Sequence, residues 1–376
     1  MARLRLGGPL FALGLYIVAD LVAAQACKRV LPWWEPSYFE RSYRVRSADY
    51  HHDLARNVTR QAYWGGEPYP YRTNSLGFRD AAPRTVDVHT GAGGVLLLGD
   101  SFTEGIGVPY QATFAGVLDS VAAGQGIEVL NAAVSSYSPV IYYHKARHLL
   151  ERVGLEVRAI VVFLDVSDPY DEVHRYQLTS DGEIQSVEIY RSVKQRTADW
   201  LRYNSITGRA MTLALLAYEG RATPPRFGLG QAPARWTYDA GAYRAWGARG
   251  LQLASRSMDS LVSLTQRHDV SLTLVIYPWP DQIVRHDLDG RQVEFWQEWA
   301  TRNEVPFVNL FPLFIGSRPP DSVLARYFMP LDPHWTAAGH RLIADSLLAT
   351  EVGRLLRDDR PDVRTAEHQR QRGRIE

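Results

Sequence analysis

Gly94-Val95-Leu96-Leu97-Leu98-Gly99-Asp100-Ser101-Phe102-Thr103-Glu104-Gly105 decides the fold. Val95 to Leu98 is a short, unbroken apolar run, the mark of a strand buried on both faces of a parallel sheet. It ends abruptly in Gly99-Asp100-Ser101, a tight strand-to-helix turn. Working outward, the pattern predicts a helix over Ala112 to Ala123 and a second strand over Ile127 to Leu130, ending at Asn131. A helix follows over Ile141 to Val153, then a third strand over Ala159 to Leu164, ending at Asp165. Later come a strand at Leu272 to Tyr277, a helix around Val293 to Arg302, a strand at Phe307 to Leu310 and a last helix from about Ala337 to Leu356. Strands alternating with helices predict an α/β fold with a mainly parallel central sheet.

The domain expected from this alternation covers 94–356. The alternation lapses after Tyr170, so 170–265 reads as a helical insertion, with 197–218 helical and 221–235 rich in Pro, Gly and Ala. Residues 28–93 carry many Tyr, Trp, Pro and Gly and little helical period, and read as an irregular or short-stranded extension wrapping the main domain. Two pieces stand out there: Tyr50-His51-His52-Asp53 and Asn74-Ser75-Leu76-Gly77-Phe78-Arg79-Asp80. Adjacent side chains in an extended chain point opposite ways, so a structural role for the His pair outweighs a metal-binding one. The tail over 357–376, charged and almost free of apolar residues, is expected to be disordered.

Residues 1–27 fit two readings. Arg3 and Arg5 precede an apolar run, and Ala24-Gln25-Ala26 before Cys27 suits a signal-peptide cut. The stretch from Leu6 to Ala26 is also about long enough to span a bilayer, with Trp33 and Trp34 just beyond it where an aromatic belt would lie. Asp20 is the charge that such an anchor must accommodate. Either reading places the rest of the chain outside the cytoplasm, in the periplasm or secreted after cleavage, or held at a bacterial inner membrane.

Composition narrows the function. The 376 residues hold 42 Lys plus Arg against 41 Asp plus Glu, a formal charge of +1, which excludes a nucleic-acid binder working through bulk positive charge. One cysteine, Cys27, excludes an internal disulfide framework and a Cys-cluster metal site. No metal or cofactor is called for.

Ligands of an open α/β sheet sit beyond the carboxyl ends of its strands. The first strand delivers Ser101 there, on a turn that exposes its hydroxyl. A serine is a weak nucleophile until a His takes its proton, and that His needs a carboxylate to hold its tautomer. Leu331-Asp332-Pro333-His334-Trp335, before the last helix, supplies both from one loop. Residues two apart in an extended or turning segment share a face, so Asp332 reaches the His334 ring. Ser101, His334 and Asp332 are therefore the candidate catalytic groups.

With these residues in view, the sequence resembles the SGNH hydrolases, the GDSL esterase/lipase superfamily, from Val95 to about Leu347. The likeness rests on Gly99-Asp100-Ser101-Phe102-Thr103-Glu104-Gly105 and on Asp332-Pro333-His334-Trp335 with Gly339-His340. The Asp-X-His-Trp form is similar to that of alginate-type polysaccharide O-acetyltransferases; most of the superfamily has its Asp where this chain has Leu331. The flanking pieces around His51 and Asn74 are similar to those of exported or anchored bacterial members associated with exopolysaccharide. The resemblance implies a three-layer, flavodoxin-like fold and an oxyanion hole made by Ser101, Ser136 and Ser167. Ser136 stands where the family has Gly. Asp165-Val166-Ser167-Asp168 stands where it has Gly-X-Asn-Asp, so Ser167 replaces a donor Asn.

These readings predict an ester hydrolase acting through an acyl-Ser101 intermediate on acyl, chiefly O-acetyl, esters of an envelope or exported polysaccharide. Two alternatives stand beside it: a polysaccharide O-acetyltransferase using the same groups, and a catalytically weakened glycan-binding accessory protein in an envelope polysaccharide assembly. Tyr137, Trp279 and Trp335 lie near strand ends, where they either stack on sugar rings or simply pack.

Overall fold

A computed structural model of the chain describes residues 7–31, 34, 40, 42–64, 67–89, 93–186, 193–212, 214, 229–316 and 318–357. Arg3, Arg5, Trp33, most of 221–235 and the tail after Arg357 lie outside the described residues.

In chain order, helix α1 (Gly7–Val30) precedes strands β1 (Arg44–Ser47), β2 (His51–Leu54), β3 (Thr59–Trp64) and β4 (Glu67–Arg72). Then follow β5 (Gly94–Leu98), α2 (Ser101–Glu104), α3 (Phe114–Ala123), β6 (Val129–Asn131), α4 (Pro139–Arg147), β7 (Val157–Leu164) and α5 (Asp168–His174). After them come β8 (Tyr176–Leu178), β9 (Ile184–Ser186), α6 (Val193–Asn204), α7 (Ala248–Arg267), β10 (Ser271–Ile276), α8 (Arg291–Arg302), β11 (Phe307–Asn309) and α9 (Ala337–Leu347).

Among the described residues, five strands make the central sheet in the order β6-β5-β7-β10-β11, and every neighbouring pair runs parallel. The four apolar residues from Val95 to Leu98 are fully buried, as a continuous apolar strand between two helical layers must be. Helices α4, α5 and α7 pack together on one face. Helices α3 and α9 pack together, and the Phe114 ring meets Phe163 of β7. The chain order reverses at β5, which has β6 on one side and β7 on the other. That reversal opens a crevice at the strand ends, immediately after which Ser101 begins α2.

Several expectations shift. The expected helix over Ile141 to Val153 begins at Pro139, is α-helical to Arg147 and continues as a π-helical turn over His148–Val153. The expected last helix divides into α9 and a short piece at Glu351–Leu355, whose start is capped by Thr350. The insertion expected over 170–265 is narrower, because α5 and α7 belong to the layered domain. Helix α7 buries Leu251, Ala254, Met258, Leu261, Val262 and Thr265, a 3.6-residue period that seats it on α4 and α5.

The extension is built from two antiparallel hairpins, β1–β2 and β3–β4. It shares the core through Tyr43, Tyr50, Leu54, Tyr69, Tyr71 and Phe78. The Asn74–Asp80 piece is a tight turn: Asn74 Oδ1 accepts from the N–H groups of Leu76 and Phe78. At its bend Gly77 has φ +80°, and a Cβ there would stand 2.5 Å from the Leu54 carbonyl oxygen. The turn presents Arg79, almost fully buried, whose guanidinium donates to the carbonyls of Glu104, Gly105 and Val108. The extension thus fixes the loop that leaves α2.

Candidate active site

Gly99 permits the sharp exit from β5, because a Cβ there would lie 2.2 Å from Thr103 Oγ1. Asp100 then caps α2, its Oδ1 accepting from Phe102 N at 2.9 Å. Ser101 follows as the first helical residue, with its Oγ 2.8 Å from His334 Nε2. On the far side of the ring, His334 Nδ1 stands 2.5 Å from Asp332 Oδ1. The structure therefore brings together Ser101, His334 and Asp332, although 233 positions separate the serine from the imidazole.

The local sequence explains how a two-residue spacing suffices. Asp332 Oδ1 accepts from the His334 backbone N–H at 2.9 Å as well as from its ring, closing an Asx-type turn around Pro333. Leu331 has φ +62°, which reverses the chain, and Met329 N donates to the His334 carbonyl at 2.8 Å. The other carboxylate oxygen of Asp332 accepts from Trp64 Nε1 at 3.1 Å. Burial works to raise the Asp332 pKa, but the hydrogen bonds and charge of His334, together with Trp64, outweigh it and hold the carboxylate below its ordinary value. Phe102 lies tilted against the His334 ring at 4.5 Å, and Trp64 meets it edge-on at 5.5 Å.

The turn after β6 approaches the same helix. Ser135 N donates to Glu104 Oε2 at 2.6 Å, and Ser136 adopts φ +66°, the left-handed conformation that the Gly of the resembling family takes freely. Among the described residues, no protein group accepts from the backbone N–H of Ser101 or of Ser136.

The Ser167 expectation needs correction. Its N–H bonds to Asp165 Oδ1, and its hydroxyl is close enough to that carboxylate to help hold the Asp165 pKa down, so Asp165 competes with an oxyanion for the Ser167 hydroxyl. Asp165 also accepts from Trp279 Nε1 at 2.7 Å, and the Tyr277 hydroxyl lies 3.2 Å from both Asp165 Oδ2 and Asp100 Oδ1. Burial, and then the charge of Asp165, pushes the Asp100 pKa well up; burial raises Asp165 too.

Of the two readings open for the strand-end aromatics, the structure favours packing. Tyr137 is fully buried and donates to the His52 carbonyl at 2.7 Å. Trp335 is fully buried against Phe102, Tyr277 and Phe314. Trp279 is buried with its indole N–H on Asp165. Buried in this way, none of the three offers an open face. Among the described residues, no three His, Cys, Asp or Glu side chains gather as a metal site. Sequence reading missed Trp64; its indole pairs with a carboxylate 268 positions away, and nothing in the local spacing signals that.

The sequence matches no protein-family model and no curated protein. Among solved structures, the fold is similar to an acetylxylan esterase from Geobacillus stearothermophilus, at 16% identity and TM-score 0.38, covering 73% of this chain and 100% of that one. It is also similar to a lipolytic protein of the G-D-S-L family from Veillonella parvula, at 12% identity and TM-score 0.38, covering 68% and 96%. A psychrotrophic esterase from Pseudoalteromonas gives 12% identity and TM-score 0.36, covering 69% and 96%. At these values the site rests on the chain's own geometry.

Proposed function

We propose that the chain is a serine-dependent ester hydrolase of the SGNH type. The observation that carries this reading is the unbroken line from Ser101 Oγ through His334 to Asp332, at 2.8 and 2.5 Å. His334 Nε2 takes the Ser101 proton as Oγ bonds to the acyl carbon. The backbone N–H groups of Ser101 and Ser136 hold the resulting oxyanion. The C–O bond to the leaving alcohol then breaks, and His334 returns the proton to that oxygen. In the second half water attacks the acyl carbon with His334 again as base, the bond from that carbon to Ser101 Oγ breaks, His334 returns the proton to Oγ, and the acid leaves. Asp332 keeps Nδ1 protonated and stabilises the imidazolium.

The substrate class we propose is an O-acetylated carbohydrate of an envelope or exported polysaccharide. A sugar hydroxyl in place of water would make the same machinery an O-acetyltransferase. The test uses p-nitrophenyl acetate with and without an oligosaccharide acceptor, alongside fluorophosphonate labelling. The reading expects labelling and turnover that vanish in Ser101→Ala. Acetylated oligosaccharide appearing at the expense of acetate would favour transfer. A wild type that is neither labelled nor active would leave only the glycan-binding alternative.

We also propose that α1 stays attached as a membrane anchor. It is 24 residues long, about 36 Å at 1.5 Å per residue against a hydrocarbon core of about 30 Å. Leu10, Phe11, Leu13, Leu15, Val18 and Val22 are exposed along it. Its one acid is satisfied: Asp20 Oδ1 accepts from Thr207 N and Thr207 Oγ1, each at 2.9 Å. Gln25 Nε2 donates to Asn204 Oδ1 at 3.0 Å. A cut before Cys27 would discard both contacts. Intact-mass measurement of the membrane-extracted protein should find the N-terminus uncut; a mature chain starting at Cys27 would refute retention.

A further inference from the structure

The Tyr50-His51-His52-Asp53 segment takes no part in the reaction just described, yet it ends against the turn that carries Ser136. Four groups from three segments grip that turn, Arg175 and Tyr176 being neighbours in the chain. Glu104 Oε2 accepts from Ser135 N at 2.6 Å. His52 Nε2 lies 2.9 Å from the Ser135 carbonyl oxygen. The Tyr176 hydroxyl donates to the Ser136 carbonyl at 2.5 Å. Arg175 Nη1 donates to Ser136 Oγ at 2.9 Å, and Arg175 is itself held by Asp171 at 2.8 Å. Around this clamp, among the described residues, the Ser136 N–H is left without a protein acceptor.

The protons in the clamp have one arrangement. A carbonyl oxygen only accepts, so His52 Nε2 carries the hydrogen. Burial lowers the His52 pKa to about 4, so the ring is neutral near neutral pH and its Nδ1 is an acceptor. His51 Nδ1 lies 2.8 Å from that nitrogen and must donate to it. Burial lowers His51 as well, so its Nε2 accepts from Ser186 Oγ at 2.6 Å. A directed chain thus runs from Ser186 through His51 and His52 to Ser135. Ser186 is paired with Tyr176 across β8 and β9, so one hairpin holds both ends of the clamp. The Tyr137 hydroxyl fixes the His52 carbonyl at 2.7 Å.

We propose that His52 and Tyr176 are positioning residues that keep the Ser135–Ser136 turn in its left-handed shape, so that the Ser136 N–H serves as an oxyanion donor. Glycine takes φ +66° freely, whereas serine resists it, so a serine here needs an external clamp. The inference rests on the proposed acyl-transfer chemistry at Ser101.

The test is a double-mutant cycle on p-nitrophenyl acetate hydrolysis. A full oxyanion donor is worth about 10²–10³ in kcat, and a mispositioned one should lose part of that, so Tyr176→Phe is expected to lower kcat about tenfold with little change in KM. In a Ser136→Gly background the same change should cost less than about threefold, because glycine holds the turn unaided. His52→Gln keeps a donor near the Nε2 position and should retain more kcat than His52→Ala. Arg175→Met, which frees the serine hydroxyl, provides a second route to the same cycle should Tyr176→Phe fold poorly.

Equal costs in the wild-type and Ser136→Gly backgrounds, or an effect confined to KM, would overturn the proposal. Fluorophosphonate labelling separates the two levels. A wild type that is not labelled at Ser101 overturns the chemistry and the clamp together. A labelled, active wild type whose clamp variants match it overturns the clamp alone.

Discussion

Trp64, at the end of a strand in the N-terminal extension, donates its indole N–H to Asp332 Oδ2 at 3.1 Å. The carboxylate that orients His334 is therefore held at both oxygens: one by the imidazole and the His334 backbone, the other by a residue outside the layered domain. A hydrogen bond to a charged group contributes about 1.5–3 kcal/mol. Trp64→Phe keeps the ring against His334 but removes the donor, so kcat/KM should fall about 10- to 100-fold, in line with that energy. Asp332→Asn is the severe comparator: an amide that donates to Nδ1 imposes the wrong tautomer, and a loss of about 10⁴ in kcat is expected. Steady-state kinetics on both variants checks the pair. Equal losses would mean that Trp64 does more than steady the carboxylate.

Ser167 offers a sharper contrast. Its hydroxyl is engaged by Asp165, so Ser167→Ala should lower kcat less than about threefold, far short of the 10²–10³ of a true oxyanion donor. A hundredfold loss would restore Ser167 to the oxyanion hole.

The parts of the site that could be read from the sequence are those that are local. Val95 to Leu98 announces a buried strand, and Asp332 and His334 close their own turn within three residues. Trp64 and His52 could not be read in this way, because each acts on a partner far away in sequence. Tyr137, Trp279 and Trp335 misled for a related reason. A side chain near a strand end lines the cleft only if it is not packed inward, and all three of these are buried. The period of α7 was present in Leu251, Ala254, Met258 and Leu261, but it was masked by the Pro- and Gly-rich stretch before it.

The extension is tied to the domain by a buried charge pair. Lys145 Nζ donates to Asp53 Oδ1 at 2.8 Å, with the rings of Tyr50, Phe78 and Tyr137 within 5.0–5.4 Å. Burial pulls the Lys145 pKa down, and the charge of Asp53 opposes that. Lys145→Met would leave Asp53 buried without its cation, which costs about 3–5 kcal/mol. Adding Asp53→Asn should recover much of the loss, because neither partner is then charged. Urea unfolding of the single and double variants measures it, and a fully additive double variant would show that the pair is not coupled.

Glu172 gives the fold a pH signature of definite sign. Its carboxyl is buried and accepts from Ser138 Oγ and Val140 N, each at 2.8 Å. Burial raises its pKa from 4.5 to about 7, outweighing those two hydrogen bonds. Between these values the folded protein holds a proton that the unfolded chain has released. The stability it contributes is fully present below pH 4.5 and is lost as pH rises through about 7. At 1.36 kcal/mol per unit the whole loss is about 3 kcal/mol. Glu172→Gln cannot ionise and still accepts through its amide oxygen. Its unfolding free energy should therefore fall less than the wild type's between pH 5 and pH 8, by an amount on the order of that figure. His52, lowered to about 4, and His340, lowered to about 3, act in the opposite sense, destabilising the fold as pH drops below 6.5. Their effect is common to both proteins and cancels in the comparison. Parallel slopes for wild type and Glu172→Gln over that interval would show that Glu172 is already ionised in the folded state.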